Sequence, residues 1–147
     1  MNRSHLRVRS CWLGSVPYRQ AWDLQRSLVE QVRADDAPDT LLLLEHPHVY
    51  TMGRKGTAEH LLWDEAERDR RGVDLVWSDR GGDATYHGPG QLVGYPILDL
   101  SRHGLDLLVY LRTLEASLIA HLAARGLAGA GVSGLARAGD CCRADQA

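Results

Sequence analysis

The chain is 147 residues long, 44% apolar and 24% charged; this is one domain's worth of sequence, with enough apolar content for a real core, and it excludes disorder along the whole chain. A net charge of −2 and a pI near 6.4 argue against a dedicated nucleic-acid binder. No apolar run approaches the roughly 18 residues of a membrane span, and Met1–Gly14 lacks the continuous apolar stretch of a secretory signal, so a cytoplasmic protein with neither nucleic acid nor membrane as partner is expected.

Residues 6–13 read as a short first strand. Pro17 suits the first turn of a helix, where its missing N–H is no loss. Tyr18, Ala21, Leu28 and Val32 then fall on one helical stripe, with Gln25 as the polar interruption. A helix is expected over 18–32, ended by the acidic, proline-containing stretch 34–39. Leu41–Leu44 is short, apolar without alternation and bounded by turn signals, which predicts a strand covered on both faces. A short extended piece at 49–51 and a loop at Gly53 and Gly56 follow. Thr57 is placed to cap a helix running to about Arg71, with Gly72 at its C-terminal end. Residues 73–78 alternate, putting Val73, Leu75 and Trp77 on one face of a strand. After a glycine-rich loop, a second apolar strand is expected at 92–98.

Leu107, Leu111, Leu114, Leu118 and Leu122 mark a long helix over 105–125, closed by Gly126. Trp12, Trp22, Trp63 and Trp77 read as core or partly buried packing, and Cys11 as a small buried hydrophobe. Helices and strands intermix, so the expected fold class is α/β (α+β), a mixed sheet flanked by helices. After Gly126 the sequence turns to Ala, Gly, Arg and Asp with no sustained apolar period. Residues 127–147 are therefore read as a divergent, poorly ordered tail on a domain spanning 1–126.

The densest chemical signal is RGGDATYHGPGQLVGYP at 80–96. Gly81, Gly82, Gly88, Pro89 and Gly90 are interleaved with Arg80, Asp83, Thr85, Tyr86 and His87. Glycine lets a ligand approach the main chain closely. A loop with bare N–H groups, a fixed cation and an imidazole can hold a carbonyl or phosphate oxygen. The same composition also suits a turn-rich connection between two strands, and it matches neither the dinucleotide nor the P-loop fingerprint.

Glu45-His46-Pro47-His48 follows the four leucines, at the strand end where open sheets bind ligands. On an extended chain His46 and His48 face the same way, which admits a metal site with His60 or His87 as third ligand. With no acidic partner at ligand spacing, a packed or hydrogen-bonded His46 is the better reading, and no metal or other cofactor is called for. His103 and His121 read as surface or packing residues. One lysine, Lys55, stands among 17 basic residues. Of the three cysteines, Cys141 and Cys142 are sequence neighbours, so a disulfide framework is not expected.

LLLLEHPHVYTMG (41–53) followed by RGGDATYHGPGQLVGYP (80–96) resembles the lipoyl(octanoyl) transferase family, the octanoyltransferases of lipoate biosynthesis. The flanks AWDLQRSLVEQV and LVYLRTLEASLIAHLAARGL are similar as well, and the resemblance covers about residues 14–127. It implies a fold like that of the biotin and lipoate protein ligases, incomplete at the C-terminus. It also implies an acyltransferase that moves an octanoyl group from octanoyl-acyl carrier protein to a lysine of a lipoyl domain, in 2-oxoacid dehydrogenase or glycine cleavage proteins. Arg80, Gly81, Gly82, Asp83, Ala84, Thr85, Tyr86 and His87 would line its acyl-substrate site.

In the family a cysteine forms a thioester intermediate and a lysine lowers that thiol's pKa. The family's Lys-(Ile/Val)-Ala-Ala-Ile-Gly and Pro-Cys-Gly segments do not occur here. Lys55 lies upstream of the loop, and Cys141-Cys142 lacks the right setting. No catalytic residue is assigned, and a frameshift or truncation beyond about codon 126 is expected. Two alternatives stay open: an ATP-dependent lipoate or biotin protein ligase-like enzyme, and a non-catalytic acyl-binding remnant. The His-Gly-Pro-Gly-Gln run at 87–91 and the lack of a suitable lysine favour the transferase.

Overall fold

The computed structural model describes residues 7–127, which fall into two compact units divided between Leu98 and Asp99. The first unit holds two three-stranded sheets built on one plan. In one, β2 (Thr40–Glu45) is central, with β1 (Arg9–Ser15) parallel to it and β6 (Val93–Ile97) antiparallel. In the other, β3 (Val49–Met52) is central, with β4 (Asp74–Trp77) parallel and β5 (Ala84–His87) antiparallel. A parallel neighbour needs a crossover. Helix α1 (Tyr18–Arg33) lies in the crossover from β1 to β2, and the short α2 (Glu65–Arg71) in that from β3 to β4. The fold is thus the expected α+β class, and both sheets are mixed.

Pro17 is the N-cap of α1 rather than its first helical residue, with φ −53° and ψ 139°. The expected stripe is buried at Ala21, Leu28 and Val32. Leu28 and Val32 meet Ala37, Leu42 and Ile97 in the core, with Cys11 and Tyr95 packed against them. The helix stops at Ala34, and Asp35 follows at φ 62°, a left-handed conformation that a short polar side chain tolerates. In β2, Thr40, Leu42 and Leu44 are buried while Leu41 and Leu43 are only half-buried. The cover expected on both faces is complete on one.

Four expectations need correction. The helix predicted from Thr57 to Arg71 is broken into a 3-10 turn at Ala58–His60 and α2. Asp64 accepts the Glu67 N–H at 2.8 Å and starts the helix there, whereas Thr57 makes no capping bond; Gly72 closes it as expected, at φ 63°. In β4 the buried residue is Val76, and Trp77 is 54% exposed. Val73, also buried, lies before the ladder begins, so it could not set the strand's parity. Trp12 is exposed too, at 61%, leaving only Trp22 and Trp63 partly buried. Strand β5 lies inside the segment read as loop.

The second unit contains a 3-10 turn at Leu100–His103, closed by Gly104, and α3 (Leu107–Ala123). Asp106 caps α3 by accepting the Val109 N–H at 2.8 Å. Gly126 follows at φ 75° and ends the turn after it. The leucine stripe of α3 is exposed, and no residue of the helix is buried. His103 is half-buried and His121 exposed. Among the described residues no helix is long and apolar enough to cross a membrane. Residues 128–147, with Cys141 and Cys142, lie outside the described part.

Candidate functional site

The turn after β3 is joined to the loop before β5 by three main-chain bonds. Gly53 N–H donates to Asp83 O, Arg54 N–H to Arg80 O and Lys55 N–H to Gly82 O, each at 3.0 Å. Gly53 must be glycine here, because a Cβ would run into the carbonyl oxygens of Gly82 and, at 2.9 Å, of Gly81. The Arg80 guanidinium turns inward on the same segment. Its Nη2 donates to Thr51 O at 2.5 Å and to Asp83 O at 2.7 Å, its Nε to Thr51 Oγ1 at 3.2 Å, and its Nη1 to Gly81 O at 3.0 Å.

The outcome is one-sided. The carbonyls of Arg80, Gly81, Gly82 and Asp83 all accept hydrogen bonds, whereas the N–H groups of Gly81, Gly82 and Asp83 donate to nothing among the described residues. The Asp83 carboxylate is held between His60 Nδ1 and the Ala84 N–H, each at 2.7 Å. The His60 bond does most to hold it below the usual carboxylate range.

A second cluster gathers at the far end of β5. His46 is fully buried. Its Nδ1 lies 2.7 Å from Val16 O, and a carbonyl only accepts, so Nδ1 carries the hydrogen. Nε2 then accepts from the Tyr95 hydroxyl at 2.8 Å. Burial pulls the imidazole below its ordinary value and is the chief cause pushing the phenol up to about 12. Neutral imidazole and protonated phenol are the forms those two bonds require. His87 lies beside them: its ring stacks on Tyr18 at 6.2 Å and meets His46 edge-on at 5.7 Å, and its Nδ1 is 2.7 Å from Gln91 Oε1.

This geometry invites comparison with known proteins. Residues 17–145 match the model of the lipoyl protein ligase A/B catalytic domain. The chain belongs to that family. The match runs past Leu127. The octanoyltransferase of Chloroflexus aurantiacus is 52% identical over 124 residues, which is 84% of this chain and 56% of that protein. The octanoyltransferase of Rubrobacter xylanophilus is 54% identical over 117 residues, 79% of this chain and 52% of that protein. The chain thus spans about half the length of the curated relatives it matches. Among solved structures, a bi-partite lipoate protein ligase of Thermoplasma acidophilum aligns with a TM-score of 0.61 at 21% identity, covering 88% of this chain and 49% of that one. Lipoate-protein ligase A bound with ATP aligns at 0.57 and 22%, covering 82% and 47%. At that identity the likeness is one of fold, and it agrees with the ligase-like fold expected from the motifs.

In this member of the ligase A/B family the eight residues singled out from sequence divide in two. Arg80, Gly81, Gly82 and Asp83 form the loop, and Ala84, Thr85, Tyr86 and His87 form β5. Tyr86 and His87 are neighbours in sequence yet join different groups, as alternate strand positions must. The Tyr86 hydroxyl meets His48 Nδ1, beneath a buried Gly88 whose Cβ would lie 2.6 Å from it. The imidazoles of His46, His48, His60 and His87 each have Nδ1 bonded to a main-chain or side-chain partner, and no three ligating side chains converge among the described residues. Sequence reasoning missed Thr51, Gly53, Tyr18, Gln91 and Tyr95 as parts of these clusters. Gly53 was detectable in principle, as a glycine directly after a strand. Tyr18 and Tyr95 were absorbed into periodic elements.

Proposed function

We propose that this chain carries the acyl-substrate side of an octanoyltransferase, holding the octanoyl thioester of acyl carrier protein for transfer to a lysine of a lipoyl domain in a 2-oxoacid dehydrogenase or glycine cleavage protein. The setting is the cytoplasm, and ATP is not used. The observation that carries the reading is the one-sided loop. Three unengaged N–H groups, set in place by Arg80, suit a thioester oxygen that gains negative charge. In this reading Arg80 does not touch the substrate; it fixes the loop that does. Relatives at about half identity are named octanoyltransferases, which favours transfer over ATP-dependent ligation.

No nucleophile is assigned. Cys11 is half-buried against the core. The chain as written is therefore expected to bind an octanoyl thioester without turnover. Titrating 15N-labelled chain with S-octanoyl-pantetheine should shift the amides of Gly81, Gly82 and Asp83. Mass spectrometry should find no octanoyl adduct on Cys11, Cys141 or Cys142. Loop shifts with octanoyl-adenylate alone would favour the ligase, and no shift with either would return the loop to a plain connection.

A further inference from the structure

His87 has two ring nitrogens, and only one is committed. Nδ1 faces Gln91 Oε1 at 2.7 Å. A carboxamide oxygen accepts and cannot donate, so Nδ1 carries the hydrogen. Nε2 has no partner among the described residues. The ring is held against rotation by Tyr18 on its face and by His46 at its edge. His46 is itself tied to Val16 and Tyr95. Gln91 is placed by its own N–H, which donates to Gly88 O at 3.1 Å, while the Gly90 N–H donates to the Glu45 carboxylate at 2.8 Å. With its single hydrogen on Nδ1, the His87 ring presents a fixed lone pair at Nε2 from a half-buried position.

A lone pair repels an acyl carbonyl oxygen and accepts an N–H. From Asp83 to His87 the strand rises about 13 Å at about 3.3 Å per residue. The His87 main chain is thus a strand's length from the loop, which favours a group farther along the carrier's arm over the amine that attacks that carbonyl. The carrier's pantetheine arm, by contrast, has amide N–H groups spaced along it beyond the thioester. We propose that His87 Nε2 accepts an amide N–H of the carrier's pantetheine arm, and that Gln91 is the positioning residue that selects the tautomer able to do so. This rests on the octanoyl-transfer reading. Among the described residues, the titratable and charged groups in contact with His87 and its turn include Tyr18 from α1, and His46 and Glu45 at the end of β2.

The test uses the full 15N-labelled chain and three probes. Long-range proton–nitrogen correlation should place the hydrogen of the neutral ring on Nδ1, and Gln91→Ala should lose that preference while the rest of the spectrum is kept. S-octanoyl-pantetheine should perturb the Nε2 resonance. S-ethyl thiooctanoate, the same acyl thioester without amides, should shift the loop amides but not Nε2, and should bind about tenfold more weakly. Nα-acetyllysine should leave Nε2 unmoved. Gln91→Ala should reduce the preference for the pantetheine ester to near unity. Hydrogen on Nε2 in the wild type, equal binding of the two thioesters, or an Nε2 response to acetyllysine instead would overturn the proposal. Loop shifts with both thioesters but no Nε2 response to either would do so while leaving octanoyl binding intact.

Discussion

The two sheets of the first unit share a plan and differ in what holds their centres. β2 is held by side-chain volume: Leu42 and Leu44 are buried, and Leu42 packs with Leu28, Val32, Ala37 and Ile97. β3 also buries Val49 and Met52, but its end and its neighbouring loop are held by directed bonds. Thr51 is fully buried under the Arg80 guanidinium, and the Gly53 turn is bonded main chain to main chain. Volume can be conserved by several side chains in several rotamers. A carbonyl paired to one fork of one arginine has a single solution. The loop whose donors must stay in place hangs from the second kind of contact.

The largest effect expected from this contrast is at Leu44, which is wholly buried. Leu44→Ala should cost about 2–5 kcal/mol in urea unfolding, whereas Leu44→Met should cost under about 1.5 kcal/mol and leave the amides of 81–83 unmoved. Equal losses for the two would break the volume account of this sheet. On the other sheet, the gentlest change should be costly. Gly53→Ala adds one methyl against two backbone carbonyls, and should destabilise by about 1–3 kcal/mol with shifts at Arg80 through Asp83. An unchanged loop in Gly53→Ala would show that the turn and loop are not locked together.

Arg80→Lys keeps the charge and loses the fork. Thr51 O and Asp83 O, both served by Nη2, can share one ammonium, but the bonds from Nε to Thr51 Oγ1 and from Nη1 to Gly81 O are lost. The expected cost in stability is about 1–2 kcal/mol, and octanoyl-thioester binding should weaken about tenfold, about 1.4 kcal/mol. Retained binding with lost stability would separate the loop's shape from its role.

The same contrast explains what could be read in advance. Apolar period and turn residues revealed α1, β2, β6 and α3, because volume-driven elements repeat their signal along the chain. The signal named faces less well than elements. Trp77 and the α3 leucines are apolar yet exposed, because periodicity marks a stripe without saying what covers it. Strand β5 was hidden because it is four residues long and surrounded by glycine. Within the site, Arg80 through Asp83 were legible as a loop with bare N–H groups. The reason those groups are bare was not, since it depends on Arg80 reaching Thr51, 29 positions away. Gln91 and Tyr95 acquire their roles only through contacts with His87 and with His46, 49 positions from Tyr95.

The smallest effect vanishes at neutral pH and grows only in acid, and it separates the sheets by where they titrate. Buried His46, at the end of β2, has its pKa lowered in the folded chain from an ordinary 6.5. Below that value the unfolded chain takes up a proton that the folded chain refuses, so stability falls as pH drops through about 6.5 and levels off only beneath the folded pKa. Asp83, on the loop of the other sheet, is also lowered, chiefly by His60. Its contribution is intact above the ordinary carboxylate value and is lost only at lower pH. Urea midpoints measured from about pH 8 to about pH 3 should therefore decline in two stages. His46→Gln should flatten the upper stage and leave the lower one, and Asp83→Asn should do the reverse. A slope near pH 6.5 that survives His46→Gln would mean that this imidazole is not the neutral, buried anchor that its bonds to Val16 and Tyr95 describe.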